Sequence, residues 1–472
     1  MSVRADAHGN ATTVAGVEAL EAYDRAVDDL LHFRAAVATS LDAALEADPG
    51  FAMGQVAQSY LGVLGTEPDD AAAARASLRT YLSSTTTSSL LPRERAHVAA
   101  AQALLAGDLT GGGTVLRELT REHPRDALAL AVGHQIDFFT GDAVALRDRV
   151  GAALTAWSDD DPHRSLLLGM YAFGLEESGL YSRSQDVALE AVERDERDVW
   201  GVHAVAHTLE MQGRFVEGLG YLDGHAAGWQ TGNFLSVHNW WHYCLYLLES
   251  GDVLRPLEIY DAVLHNAQSA NVAMEMLDAA ALLWRMLLEG EDQTARWSVL
   301  ADAWDAKMVE PYYAFNDMHA VMSYLGAGRM ADAERLVDAR AAYVAEATDE
   351  SVTNLTMTRE VGLPVARALV AFAQGRYEST VAELMPIRYS LNRFGGSHAQ
   401  RDAVQRTLVE AALRSGQHDL ARSLLSERLG INPCSPYNWL KQAELFDRLG
   451  EAAAAAGARS QASTLRRSSQ PS

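Results

Sequence analysis

Residues 207–222 read HTLEMQGRFVEGLGYL. Apolar residues fall at helical spacing up to Met211, a glycine interrupts at Gly213, and apolar spacing resumes at Phe215. Glycine can enter the left-handed region that ends a helix, so the stretch predicts two helices joined at Gly213. The same grammar returns at 104–119 (LLAGDLTGGGTVLREL), 324–337 (YLGAGRMADAERLV), 371–384 (AFAQGRYESTVAEL) and 414–425 (RSGQHDLARSLL). Comparable glycines stand at 65, 107, 141, 179, 213, 251, 290, 328, 375, 416 and 450, spaced 34 to 47 residues apart. A period near 34 residues is the length of one short helical hairpin. No strand alternation persists along the chain. The expected fold is all-α: ten or eleven helical hairpins stacked as a solenoid and wound into a curved superhelix.

Outward from this centre the chain divides into residues 1–90, 91–456 and 457–472. The first part is N-terminal repeats and linker, the second the main array, and the third a capping segment and tail. Residues 1–11 are polar and read as loose. Helical spacing over Val14–Leu45 predicts one long helix or two short ones, ending before Asp48–Pro49–Gly50. A further helical stretch, 53–82, is interrupted at Gly65–Asp70, and Ser83–Ser89 reads as a loop. Pro92 suits a first helical turn, where its missing N–H costs nothing. Gly457 ends the last strong helical run, and the remainder reads as a short capping helix that frays near Gln470.

The 472 residues carry 63 acidic and 39 basic side chains, a net charge of -24. That balance repels phosphates, so neither nucleic acid nor an anionic membrane is expected as partner. Two cysteines, Cys244 and Cys434, exclude a disulfide framework. No apolar run is long enough to span a bilayer and no signal peptide is evident, so the expected location is cytoplasmic.

Chemistry concentrates between Gly201 and Gly251. His203 and His207 are four residues apart, as are His238 and His242, and each of the second pair lies 35 residues after its counterpart. On a helix, an i,i+4 pair shares one face, and successive repeats set such helices side by side. Four imidazoles are therefore expected to converge. Neutral imidazole binds divalent transition metals, and Glu210, one turn after His207, supplies a carboxylate. The same residues suit acid–base catalysis. Asp278, then Asp317 and His319, occupy the equivalent helices of the next two repeats and point to a shared inner face. Asn239 and Trp241 are candidate ligand contacts, whereas Cys244 beside His242 reads as buried and inert. Structural packing and a metal-free pocket stand beside the metal reading, because neither HxxxH carries the adjoining Glu of the HExxH motif.

These blocks carry a resemblance. HAVAHTLEMQGR from His203, HNWWHYCLYLLESGD from His238, LDAAALLWRMLLEG from Leu277 and GGSHAQRD from Gly395 are similar to the tetratricopeptide repeat protein 38 family. The resemblance implies a tetratricopeptide-like fold over nearly the whole chain. It matches at His203, His207, Glu210, His238, Asn239, His242, His398, Gln400, Arg401 and Asp402, and supplies no settled activity.

In the last block, Ser397 and Gln400 have the spacing of a helix capping box. Gly395–Gly396 and the following backbone N–H groups form a candidate anion site, with Arg401 as a clamp. His398 and Asp402 are an i,i+4 pair placed to hydrogen bond. His134, Asp137, Glu176 and Glu177 lie in earlier first helices and read mainly as surface or intra-repeat contacts. The leading functional reading is a His/carboxylate-lined inner pocket for a small molecule or peptide on the concave face. The alternatives are a metal-dependent hydrolase or oxidoreductase built on His203, His207, His238 and His242, and a protein-interaction scaffold.

Overall fold

In a computed structural model that describes residues 2–467, the chain is an all-α helical-repeat solenoid. Helix pairs follow one another from Val17–Leu31 and Val37–Ala47 to Pro436–Arg448 and Ala452–Arg467. Every marked glycine except Gly65 sits at positive φ, as at Gly213 (69°), where the Val199–Met211 helix gives way to Phe215–Gly224. At the exception, Gly65 stays right-handed and Thr66 takes the left-handed position instead (φ 56°). Helix starts are closed by acidic side chains: Asp108, Asp126, Asp142 and Asp198 each accept a backbone N–H three residues on.

Three local expectations are corrected. Residues 2–14 are not loose: Ser2–Ala5 pairs antiparallel with Ala11–Val14. Partners far away in the chain hold this hairpin, since Glu94 accepts from Thr13 N–H (2.6 Å) and Arg93 pairs with buried Asp6 (3.2 Å). The Ser/Thr run is not all loop, because the Pro68–Ser84 helix enters it and Thr87–Ser89 forms a short 3-10 turn. The last helix runs through Gly457 to Arg467; residues 468–472, including Gln470, lie outside the described residues.

The superhelix is wound tightly enough that distant repeats touch. Thr353 N–H donates to Gly107 O (2.9 Å), Asn316 to Thr66 O (3.1 Å) and Asn392 to Gly141 O (3.0 Å). Each acceptor is a carbonyl at a hairpin turn, where intrahelical partners run out. The main hydrophobic core follows the coil from Val14 to Leu445, and a smaller second cluster gathers Phe215, Leu222, Trp229 and Tyr246. First helices of successive repeats line the inside, and the His398–Arg414 helix crosses it to meet Val199–Met211 and Ala273–Leu288. The inner face is consequently a filled interior with cavities, not an open groove.

Candidate metal centre and its cavities

The Val199–Met211 helix presents His203 and His207, and the adjacent Leu235–Ser250 helix presents His238 and His242. One ring nitrogen from each lies within 4.8 Å of all the others. Ring centroids are 4.2 Å apart for His207–His242 and 5.0 Å for His203–His238. Acidic side chains stand behind three of the rings. His238 Nδ1 meets Asp278 Oδ2 at 2.8 Å, His242 Nδ1 meets Glu210 Oε2 at 2.5 Å, and His207 Nδ1 lies 3.6 Å from Glu176 Oε2. Metal-ligating imidazoles commonly have such partners, which fix the ring and its tautomer. His203 has none and packs on Phe173 instead, centroids 4.8 Å apart.

Buried polar groups are almost always hydrogen-bonded. Here both nitrogens of His203, both of His207 and both carboxylate oxygens of Glu176 are buried without a hydrogen-bond partner. Burial, reinforced by the neighbouring imidazoles, pulls the pKa of His203, His207 and His242 well below the ordinary histidine value, so these rings are neutral. Burial also pushes Glu210 up to about 8 and, together with Glu177, Glu176 up to about 7. The His238 and His242 Nε2 atoms face each other at 3.2 Å. With Glu210 protonated, its hydroxyl donates to His242 Nδ1, and His242 Nε2–H donates to His238. With Glu210 ionised and both Nδ1 atoms carrying their protons, two lone pairs meet, an arrangement that a shared cation relieves. Four imidazole nitrogens gathered in one place suit a borderline transition ion and not Mg²⁺ or Ca²⁺.

Two cavities reach this centre. The larger, about 460 Å³, is apolar and has His203 and His238 in its wall with Phe173, Trp200 and Met170. The smaller, about 230 Å³, carries several charged side chains in its wall, among them Glu210, Arg285, His398, Asp402 and Arg406. Arg285 is buried, with no carboxylate within 4.0 Å among the described residues. It donates to Ala281 O and Ala399 O and lies over Trp241, 5.3 Å from the ring. Trp241 in turn stacks on His238 (5.2 Å) and backs the centre without lining either cavity. Asn239 is fully buried and also lies outside both linings.

The other candidates divide. Asp278 and Glu210 join the centre as described. Asp317 does not: it is tied to Arg340 at 2.9 Å. Nor does His319, whose Nδ1–H donates to Phe315 O one turn back (2.8 Å). Asp402 does not bond His398, because Arg406 and Arg428 both hold it at 2.6 Å. The Ser397–Gln400 capping box forms as expected. The anion site beside Gly395–Gly396 takes an anion from the chain itself. Glu177 accepts the His398 backbone N–H (2.8 Å) and Arg401 (3.1 Å), and Arg401 also donates to Gly396 O. Arg401 is therefore a buried strut and not a free clamp. The His398 ring lies 3.7 Å from both Glu176 and Glu177; burial lowers its pKa, but the two carboxylates outweigh this and hold it above the ordinary value. Cys244 is buried with its thiol pushed far up by desolvation, which removes it as a nucleophile.

Glu176 and Glu177 are the residues that the sequence reading placed among ordinary contacts. A signal was present: Glu176 precedes Glu210 by 34 residues, and each stands three positions before a hairpin glycine.

No family model matches the chain. Among solved structures it is similar to the human IFIT1 dimer with PPP-AAAA, at 11% identity and TM-score 0.41, covering 96% of each chain. It is also similar to the APC/C hetero-tetramer Cut9-Hcn1 (13%, TM-score 0.28, 96% of each chain). A third is the TPR domain of P58(IPK) (12%, TM-score 0.22, 81% of this chain and 100% of that one). These likenesses are of fold class, a tetratricopeptide-like helical repeat. The expectation that excludes nucleic acid is withdrawn: the IFIT1 structures carry PPP-AAAA and m7Gppp-AAAA. Net charge sums the whole surface, whereas a phosphate chain is held by local cations. No helix among the described residues is long and apolar enough to cross a membrane.

Proposed function

We propose that this helical-repeat chain holds a divalent transition metal at His203, His207, His238 and His242 and uses it on a small molecule bound in the interior. One observation carries the reading: four imidazoles converge, three of them buried and neutral, and the nitrogens of two have no protein partner. Asp278 and Glu210, hydrogen-bonded to His238 and His242, orient those two rings. The metal would act as a Lewis acid or lower the pKa of a bound water, which suits hydrolysis; a redox-active ion would suit oxidation. The resemblance to the tetratricopeptide repeat protein 38 family belongs to this proposal, since the blocks that carry it are those that supply the centre. A cytoplasmic location also belongs to it, supported by two unpaired cysteines. A scaffold is the second reading. Repeat folds commonly bind partners along their surfaces, and with the interior filled, that role falls to the outer face.

The test is elemental analysis of protein purified without a nickel column or chelator. Wild type should carry about one equivalent of a transition metal, and His207→Ala/His242→Ala should carry none. Wild-type protein that stays metal-free after reconstitution with Zn²⁺, Fe²⁺, Mn²⁺, Co²⁺ and Ni²⁺ overturns the proposal.

A further inference from the structure

We infer that the apolar cavity takes a long-chain carboxylate, head first, and delivers its carboxylate to the His203–His238 side of the centre. This rests on the metal reading above. The cavity has a buried floor and an open rim. His203 and Gln400 on the floor are each 3% exposed, beside buried Phe173 and Trp200, whereas Phe234 is 51% exposed and Arg34 is half-buried. Between floor and rim the wall is aliphatic and aromatic.

The placement of polar groups sets the orientation. Arg34 is the cation on this wall, and Asp28 already holds it at 2.7 Å. A carboxylate head at the rim would also meet Asp70 and Glu275. Among the described residues lining the cavity, only His203 has buried polar atoms without a partner. An anionic head buried beside neutral rings requires a cation, and the bound metal supplies it. The tail then lies along the apolar wall towards Phe234.

The volume sets the size. An apolar cavity of about 150 Å³ accommodates benzene, with six carbons. The 460 Å³ here scales to a chain on the order of eighteen carbons. The atoms that would bind such a tail are in place before it arrives, as in most small-molecule sites.

The experiment uses full-length protein, metal-loaded and chelator-stripped, with metal content measured on each sample. Fluorescent cis-parinaric acid is the probe, and dodecanoic acid, methyl dodecanoate and dodecane are the competitors. The acid should displace the probe from loaded protein at least tenfold better than from stripped protein, and at least tenfold better than its ester does. Ala131→Phe fills the cavity and Ala38→Trp narrows its rim. Both should weaken the probe at least tenfold while metal content stays at the wild-type level. Ala38 is exposed, so that variant remains informative if Ala131→Phe fails to fold. Equal displacement by acid and ester, or no difference between loaded and stripped protein, overturns head-first binding to the metal. Unchanged probe binding in both variants overturns the cavity assignment. Either result with metal still present leaves the centre intact, whereas absence of metal sinks the parent reading.

Discussion

Replacing His203 with leucine should stabilise the metal-free protein and destabilise the metal-loaded one. His203 is 3% exposed, both its ring nitrogens lack partners, and its neighbours are Phe173 and Trp200. A buried donor left unsatisfied costs about 1–3 kcal/mol, and leucine removes that cost. Against this stands the lost ring contact with Phe173, worth about 0.5–1.5 kcal/mol. The net in chelator is a gain of about 1 kcal/mol. With free metal at a thousand times its dissociation constant, binding stabilises wild type by about 4.1 kcal/mol. Losing a ligand should weaken binding at least as much as losing an outer-shell partner, about 100-fold at the upper end, which leaves the variant only about 1.4 kcal/mol of that stabilisation. The deficit of about 2.7 kcal/mol exceeds the gain, so the order of stabilities inverts between the two conditions. Urea or thermal unfolding in EDTA and in saturating metal reads this directly. A His203→Leu protein less stable than wild type in both conditions would refute the reasoning, because it would make His203 an ordinary packing residue.

Three further outcomes are expected. Asp278→Asn removes the anionic partner of His238 and should weaken metal binding by about 10–100-fold, with little change in chelator, as read by competition against a chromophoric chelator. Glu177→Ala strands Arg401 and the His398 N–H inside the coil and should cost about 3–5 kcal/mol in urea unfolding; a loss below about 0.5 kcal/mol, as at a surface site, would show that this crossing contact holds nothing. Glu210 has its folded value raised to about 8 from an ordinary 4.5, so its contribution is full at acid pH and is lost as pH rises from there towards 8. Glu210→Gln, always neutral, should flatten the fall in stability of the metal-free protein between pH 5 and 8, and a parallel fall in the variant would assign it to other groups.

Some of the site was legible because it depends on short-range geometry. The i,i+4 spacing puts His203 with His207 and His238 with His242, and a 35-residue offset puts the two helices in register as neighbours. Asp278 falls into place by one more repeat. The offset between Glu176 and Glu210 was equally visible, but a glutamate near a helix end is too common to stand out.

The fate of Arg401 was not legible, since its partner Glu177 belongs to a distant repeat; Arg428 and Arg340 reach Asp402 and Asp317 from the second helix of the same hairpin, by side-chain directions that spacing does not fix. The N-terminal strands escaped notice for the same reason: Glu94 and Arg93 hold them from another repeat.

By itself, then, the amino-acid order determined most of the helices, their hairpin glycines, the Ser397–Gln400 capping box and the convergence of four histidines. Each follows from residues within about one repeat of one another, where helix pitch and hairpin length leave little freedom. Tertiary structure alone decided that the coil closes, that Glu177 fills the site beside Gly395–Gly396, and that an apolar cavity ends at His203. Those features depend on small rotations between repeats, which accumulate along the array and leave no local pattern in the sequence.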